Sequence, residues 1–247
     1  MGIIKKANHK ELISLKLIIE RRENIDSDAY IQTINYETSN MNATIATALS
    51  DINTKDYKDV EGNLVLPIMW QNACLQRKCG ACAMVINGLP KLACNCFLKN
   101  YKKEITITPF RKFPLIKDLV VDRSVLFDNL CELEVWLEDE ANITQKNREV
   151  VYEASRCLQC GCCLEVCPNF HIDDNFFGAA AFVANTGIVT QNQGKIPKNK
   201  SEKYQEHVYE GCGKSLACQR ICPAQIDVEH LLIHSNKIEL WKRKRGN

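Results

Sequence analysis

The sequence predicts an α+β chain in two successive parts, a sheet-rich N-terminal part and a helical C-terminal part. Three observations carry this expectation. Before Pro114, apolar residues alternate with polar ones in short runs, and after it they recur at helical spacing. An Asn87-Gly88 pair divides two short apolar runs, the signal of a tight hairpin. Most of the 14 cysteines fall into three regularly spaced groups.

Taken in order, residues 12–20 and 29–38 read as strands joined by a polar turn region, residues 21–28. The stretch Asn42-Ala-Thr-Ile-Ala-Thr-Ala-Leu-Ser-Asp-Ile reads as a helix, with Asn42 or a neighbour as N-cap. Residues 83–87 form a strand that turns at Asn87-Gly88 and returns toward Cys94. Residues 104–108 close the sheet, with Ile105 and Ile107 inside and Thr106 and Thr108 outside. Pro109 and Pro114 bracket a boundary, which divides the chain into residues 10–112 and 113–247. Beyond it, residues 115–140, 147–155, 176–184 and 228–241 carry helical periodicity. Residues 185–203, rich in Asn, Gly, Lys and Gln, read as a surface loop.

Composition narrows the function classes. With 32 basic and 30 acidic side chains the chain is near neutrality, which argues against a nucleic-acid partner. No run approaches the ~18–20 apolar residues that cross a bilayer. The N-terminal MGIIKKANHKELISL lacks a long apolar core ending at small residues, so neither a signal peptide nor export is expected. Clustered cysteines in such a chain point to metal ligands or reactive thiols rather than to disulfides.

The first group reads Cys74-x4-Cys79-x2-Cys82, followed by Cys94. This is the plant-type spacing for four thiolates around a [2Fe–2S] cluster. Gly80 and Ala81 keep the loop free of bulk, so that backbone N–H groups approach sulfur. The second group, Cys157-x2-Cys160-x2-Cys163-x3-Cys167-Pro168, has the bacterial ferredoxin spacing, whose fourth cysteine serves the other cluster. The third, Cys212-x5-Cys218-x3-Cys222-Pro223, repeats that spacing with Ser215 in place of one cysteine. Crossing over, Cys222 completes Cys157, Cys160 and Cys163 into a [4Fe–4S] site. Cys167 then joins Cys212 and Cys218 in a three-thiolate site, which predicts [3Fe–4S]. A [4Fe–4S] cluster also bound through the Ser215 oxygen is the alternative, disfavoured because thiolate is the softer donor. With these ligands the two parts read as a β-grasp [2Fe–2S] ferredoxin domain and an α-helical ferredoxin domain.

Zinc also takes four cysteines, but it has no use for a doubled ferredoxin run. Cys96, Cys131 and Cys162 remain over and are expected to be packed small hydrophobes, with Cys162 a potential alternative ligand. His230 and His234 share a helix face without a third ligand and read as structural. The basic run Lys242-Arg-Lys-Arg245 reads as a solvated helix end or a contact with anionic headgroups. There is no G-x-G-x-x-G, no phosphate loop and no Ser–His–Asp order, so no catalytic residue or substrate site is expected in this chain.

Together these motifs, with the segment Lys112-Phe-Pro-Leu-Ile-Lys-Asp-Leu-Val-Val-Asp-Arg-Ser124, resemble the iron–sulfur subunit of succinate dehydrogenases and fumarate reductases over nearly the whole chain. The resemblance implies the same three ligand sets. It implies a flavoprotein partner with FAD that interconverts succinate and fumarate, and single-electron passage through [2Fe–2S], [4Fe–4S] and [3Fe–4S] in that order. It also implies a membrane-anchor partner, with haem, that exchanges electrons with quinone, and a peripheral position on the cytoplasmic face of the membrane. Many members carry tryptophans shortly after the Cys-Pro of the second run and a histidine just after the next cysteine. This chain has Asn169-Phe-His171-Ile172 and Gly213 there, which resembles the branch with a dihaem anchor and a more distant quinone. The alternative reading keeps the clusters in a soluble thiol- or NADH-linked fumarate reductase or a heterodisulfide-reductase-type enzyme. A zinc-stabilised interaction module is the third.

Overall fold

The computed structural model describes residues 11–192 and 196–241. The expected alternation appears in β1 (Ile13–Arg21), where Ile13, Leu15, Leu17 and Ile19 are buried on one face. β2 (Tyr30–Thr38) runs antiparallel to it, from Ile13↔Thr38 to Arg21↔Tyr30, and adds Ile34 and Tyr36 to the core. Helix α1 (Ile45–Thr54) buries Ile45, Ala48, Leu49 and Ile52 in the same core. Its N-cap is Thr44 rather than Asn42, because Thr44 and Thr47 form a reciprocal capping box at 3.1–3.2 Å. β3 (Ala83–Ile86) and β4 (Leu89–Leu92) form the expected hairpin, with Asn87 and Gly88 both at positive φ. β5 (Glu104–Thr108) returns parallel to β1 and antiparallel to β3, giving the sheet order β2-β1-β5-β3-β4.

The helix expected over residues 115–140 is corrected at both ends, since residues 115–124 and 133–140 are not helical. Its start forms a small hairpin, β6 (Leu115–Lys117) and β7 (Val120–Val121), and helix begins only at α2 (Val125–Glu132). The apolar spacing of Leu115, Leu119 and Leu126 imitates a helical face, but a buried ion pair decides the conformation. Asp118, at positive φ in the turn, accepts from Arg21 Nε at 2.9 Å and Nη2 at 3.2 Å. The same carboxylate also accepts from the N–H groups of Arg22 and Met69. Four donors around one carboxylate hold the hairpin onto the end of β1.

The helical part follows as α3 (Arg148–Ser155), α4 (Cys162–Glu165), α5 (Gly178–Gln191), α6 (Lys198–Tyr204), α7 (Ala217–Ile221) and α8 (Val228–Asn236). The loop expected over residues 185–203 is corrected too, since α5 and α6 occupy most of it. Asn185, Thr186, Thr190 and Ser201 are buried, while Lys198 and Glu202 stay exposed. Thr186 and Thr190 donate back to Phe182 and Thr186 carbonyls, and Asn185 and Ser201 donate to the buried carboxylate of Glu239. Residues 193–195 and the basic run at 242–245 lie outside the described residues. His230 and His234 lie edge to edge on α8, with ring centroids 6.4 Å apart.

The two parts share packing. One apolar cluster runs from the sheet through Phe110 and Phe113 to Cys162, Leu164 and Phe170, and a second unites α5, α6 and α8 around Phe182, Tyr204 and Leu231. Glu165 of α4 accepts from the N–H groups of Arg111 and Lys112 at 2.8 and 3.2 Å, while Arg111 pairs with Glu20 of β1. Among the described residues no helix is long and apolar enough to cross a membrane.

The Arg21–Asp118 pair, with side chains 4% and 2% exposed, yields a stability prediction. Asp118→Ala strands a buried guanidinium and is expected to cost about 3–5 kcal/mol. Denaturant unfolding followed by tryptophan fluorescence reads it, and a loss under about 1 kcal/mol would sink this account of the hairpin.

Candidate iron–sulfur sites

The first cysteine group surrounds the base of the β3–β4 hairpin. Cys82 directly precedes β3, and Cys94 lies in a single 3₁₀ turn, Ala93–Asn95, just after β4. The Ala83↔Leu92 pairing and the Ala93 N–H bond to the Cys82 carbonyl, at 3.0 Å, bring the two cysteines side by side. The intervening loop coils tightly, with Leu75, Arg77 and Gly80 all at positive φ. This turns backbone donors toward sulfur. Gln76 and Lys78 N–H reach Cys74 Sγ, and Arg77 N–H reaches Cys94 Sγ, each at 3.3 Å. The bonds from Gln76 and Lys78, with further ones from Cys79, pull the Cys74 thiol down to about 7, toward the thiolate that binds metal. Burial pushes Cys82 up to about 12, and the adjacent Cys94 and Cys79 add to it.

Gly80 has a stronger reason than loop slimness. A Cβ there would lie 2.7 Å from Cys160 Cβ and 2.8 Å from the Leu158 carbonyl. The loop of the first group therefore touches the second group directly, and only glycine allows that approach.

The second and third groups interlock. Cys157 follows α3, Cys160 lies between Gln159 and Gly161 at positive φ, and Cys163 lies on α4. Cys218 lies on α7, and Cys222 ends it. Helices α4 and α7 pack together. As a result Cys222 lies close enough to Cys157 and Cys163 to oppose their ionisation, and Cys167 and Cys212 do the same to Cys218. The structure thus brings Cys222 to Cys157, Cys160 and Cys163, and Cys167 to Cys212 and Cys218. Cys163 also feels Cys218, so the two sets adjoin. Burial raises Cys157 and Cys218 to about 11 and also pushes Cys163 well up. Gln159 Nε2 donates to Cys157 Sγ at 3.4 Å.

Ser215 lines the same enclosed cavity as Cys167, Cys212 and Cys218. Its neighbours Lys214 and Leu216 both take positive φ, and its Oγ accepts from Ala217 N–H at 3.4 Å. Beside this cavity, Asn169 donates to the Gly211 carbonyl at 2.7 Å. It also fills the space where a Cβ on Gly213 would fall, 3.0 Å from its Nδ2.

The three remaining cysteines differ from one another. Cys96 is buried, with Tyr101 beside it. Cys131 is exposed on α2, which corrects the expectation of a packed position: it falls on the solvent side of a two-turn helix whose buried residues are Leu126 and Asn129. Cys162 is buried, and its thiol hydrogen-bonds to Cys160, the main influence holding Cys160 low against burial. The doubled Cys162-Cys163 was the only sequence signal for that contact. One residue was missed outright: Arg123, half-buried, donates to backbone carbonyls of both cysteine loops.

These donor sets fit iron–sulfur clusters. All 14 cysteines are free, and the surrounding donors aim at sulfur. Among the described residues no three His, Cys, Asp or Glu side chains gather tightly enough for a single metal ion.

Known proteins agree in both halves. Residues 16–128 match the family described as a 2Fe-2S iron-sulfur cluster binding domain, and residues 153–226 match the 4Fe-4S dicluster domain. The succinate dehydrogenase iron-sulfur subunit of Bacillus subtilis is 33% identical over 227 residues, covering 86% of this chain and 87% of that one. The fumarate reductase iron-sulfur subunit of Wolinella succinogenes is 31% identical over 182 residues, covering 67% and 72%. A chain of the Mycobacterium smegmatis Sdh1 complex shares the fold, with a TM-score of 0.75 at 20% identity over 95% of this chain and 98% of that one. On this sequence identity and two-domain match, the chain belongs to the iron–sulfur subunit family of succinate dehydrogenases and fumarate reductases.

Proposed function

We propose that this chain is the electron relay of a succinate/fumarate oxidoreductase, standing between an FAD-bearing flavoprotein subunit and a membrane-anchor subunit with haem and quinone. The anchor is read as dihaem, from Asn169 to Ile172 and Gly213, and the chain as peripheral on the cytoplasmic face. Residues 10–112 form the [2Fe–2S] domain and residues 113–247 the two-cluster domain. Cys74, Cys79, Cys82 and Cys94 hold [2Fe–2S]; Cys157, Cys160, Cys163 and Cys222 hold [4Fe–4S]; Cys167, Cys212 and Cys218 hold [3Fe–4S], with Ser215 at the fourth corner. The observation that carries this reading is the continuity of the three thiol sets: Gly80 against Cys160, then Cys163 beside Cys218.

Clusters bound there supply one-electron redox chemistry. The chain's own residues set its conditions. Backbone N–H groups of Gln76, Arg77 and Lys78 stabilise charge on the sulfurs of the first site. Phe170, Phe176 and Phe182 help keep water from the innermost sites. The dicarboxylate chemistry belongs to the flavoprotein.

Low-temperature EPR of the air-oxidised complex should give a [3Fe–4S] signal, because the other two clusters are silent when oxidised, and succinate should remove it. A signal that survives succinate would keep the clusters and reject the substrate. No oxidised signal at full iron loading would reject the three-thiolate site. Ser215→Cys supplies a fourth thiolate, so its oxidised signal should vanish while iron rises by about one atom per chain. Cys222→Ser should disable the [4Fe–4S] signal of the reduced protein while the [3Fe–4S] signal persists. Loss of the [3Fe–4S] signal alone would overturn the crossed assignment.

A further inference from the structure

Arg123 occupies the seam between the first two cysteine loops. Its Nη1 donates to the carbonyls of Gly80 and Cys160, both at 3.2 Å. Its Nη2 donates to the Ala81 carbonyl at 2.7 Å and to Gln71 Oε1 at 2.5 Å. The guanidinium carbon lies 5.6 Å from the centroid of the Phe110 ring. One planar side chain thus spans both loops at the point where Gly80 meets Cys160. Lysine, with one nitrogen, lacks the fork that makes these four bonds.

The charge of Arg123 is unusual in its setting. Its hydrogen-bond partners are three peptide carbonyls and one amide, none of them ionised. Burial pushes its pKa down, and the sulfurs of Cys160, Cys162, Cys82 and Cys79 oppose that. Nε is buried with no hydrogen-bond partner. Through the carbonyls of Gly80, Ala81 and Cys160 this cation sits beside ligand cysteines of two separate sets.

We infer that Arg123 is a positioning residue for electron transfer, which clamps the [2Fe–2S] and [4Fe–4S] loops together and through its fixed positive charge favours the reduced state of both. The inference rests on the ligand assignment proposed above. A cation near a cluster favours the form carrying one more electron, and at an effective dielectric near 20 that effect survives across several ångströms. The third site lies beyond Cys163 and has no contact with Arg123, so it serves as an internal control.

The test is an EPR redox titration of the intact complex carrying Arg123→Gln, with iron and sulfide content measured alongside. The ratio of reduced to oxidised [2Fe–2S] and [4Fe–4S] clusters at fixed ambient potential should fall about tenfold, equivalent to about 59 mV for a one-electron couple. The [3Fe–4S] midpoint should stay in place. Arg123→Lys, which keeps the charge, should recover most of the two potentials. If the neutral variant loses clusters, loss confined to the first two sites supports the clamp, and equal loss of all three overturns it. Unchanged potentials, or an equal shift in all three, also overturn it. A wild-type complex without the three cluster signals would instead reject the ligand assignment.

Discussion

The structure turns on the contact between α4 and α7. A C-x2-C-x2-C loop directs three thiols to one centre, but its fourth cysteine lies past the end of α4 and falls on the other side. Cys222 lies near Cys157 and Cys163, and Cys167 near Cys218, so the last cysteine of each run sits by the other run, and this requires α4 and α7 to pack against one another. Around this crossing, α5 is buried on nearly every side, and its polar groups turn inward to Glu239 and to its own carbonyls because solvent does not reach them.

Electrostatics vary along the line of sulfurs. The first site is near the surface, with Cys79 exposed, and is stabilised by backbone donors. The second is buried, which raises Cys157 and Cys163 while Cys162 holds Cys160 low, and it has Gln159 and Arg123 beside it. The third lies in an enclosed, largely apolar cavity with Ser215 held in a local turn. One family of ligands thus occupies three environments that differ in solvent access and in donor number, the two features by which protein sets the behaviour of such sites.

The same buried ion pair that creates the β6–β7 hairpin also orders the whole joint. Asp118 secures the hairpin to β1, the chain then passes Arg123 to the cysteine loops, and Glu165 returns to cap the N–H groups of Arg111 and Lys112. Phe110 and Phe113 fill the space beneath, with Gly161 approaching both rings. The sheet and the helical part are joined by backbone carbonyls and charged side chains as much as by apolar area. Such bonds fix orientation more narrowly than apolar contact does.

The strands were legible because period-two alternation is a local property: residues 104–108 read from the sequence match β5, and the Asn87-Gly88 turn is where it was expected. The cysteine spacing was legible for the same reason, since loop ligation is written into neighbouring residues. What sequence patterns misplaced were segments decided by distant partners. Residues 115–121 carry helical spacing yet form a hairpin, because Arg21 reaches Asp118 across 97 positions. Residues 185–203 look like a polar loop yet are largely helix, because Glu239 supplies the partners that let Asn185 and Ser201 be buried. The sequence alone thus determined which residues carry sulfur chemistry and in which groups. Tertiary structure decided how the groups adjoin, that Gly80 touches Cys160, and that Arg123 lies between them, since each is a contact between segments that no local pattern encodes.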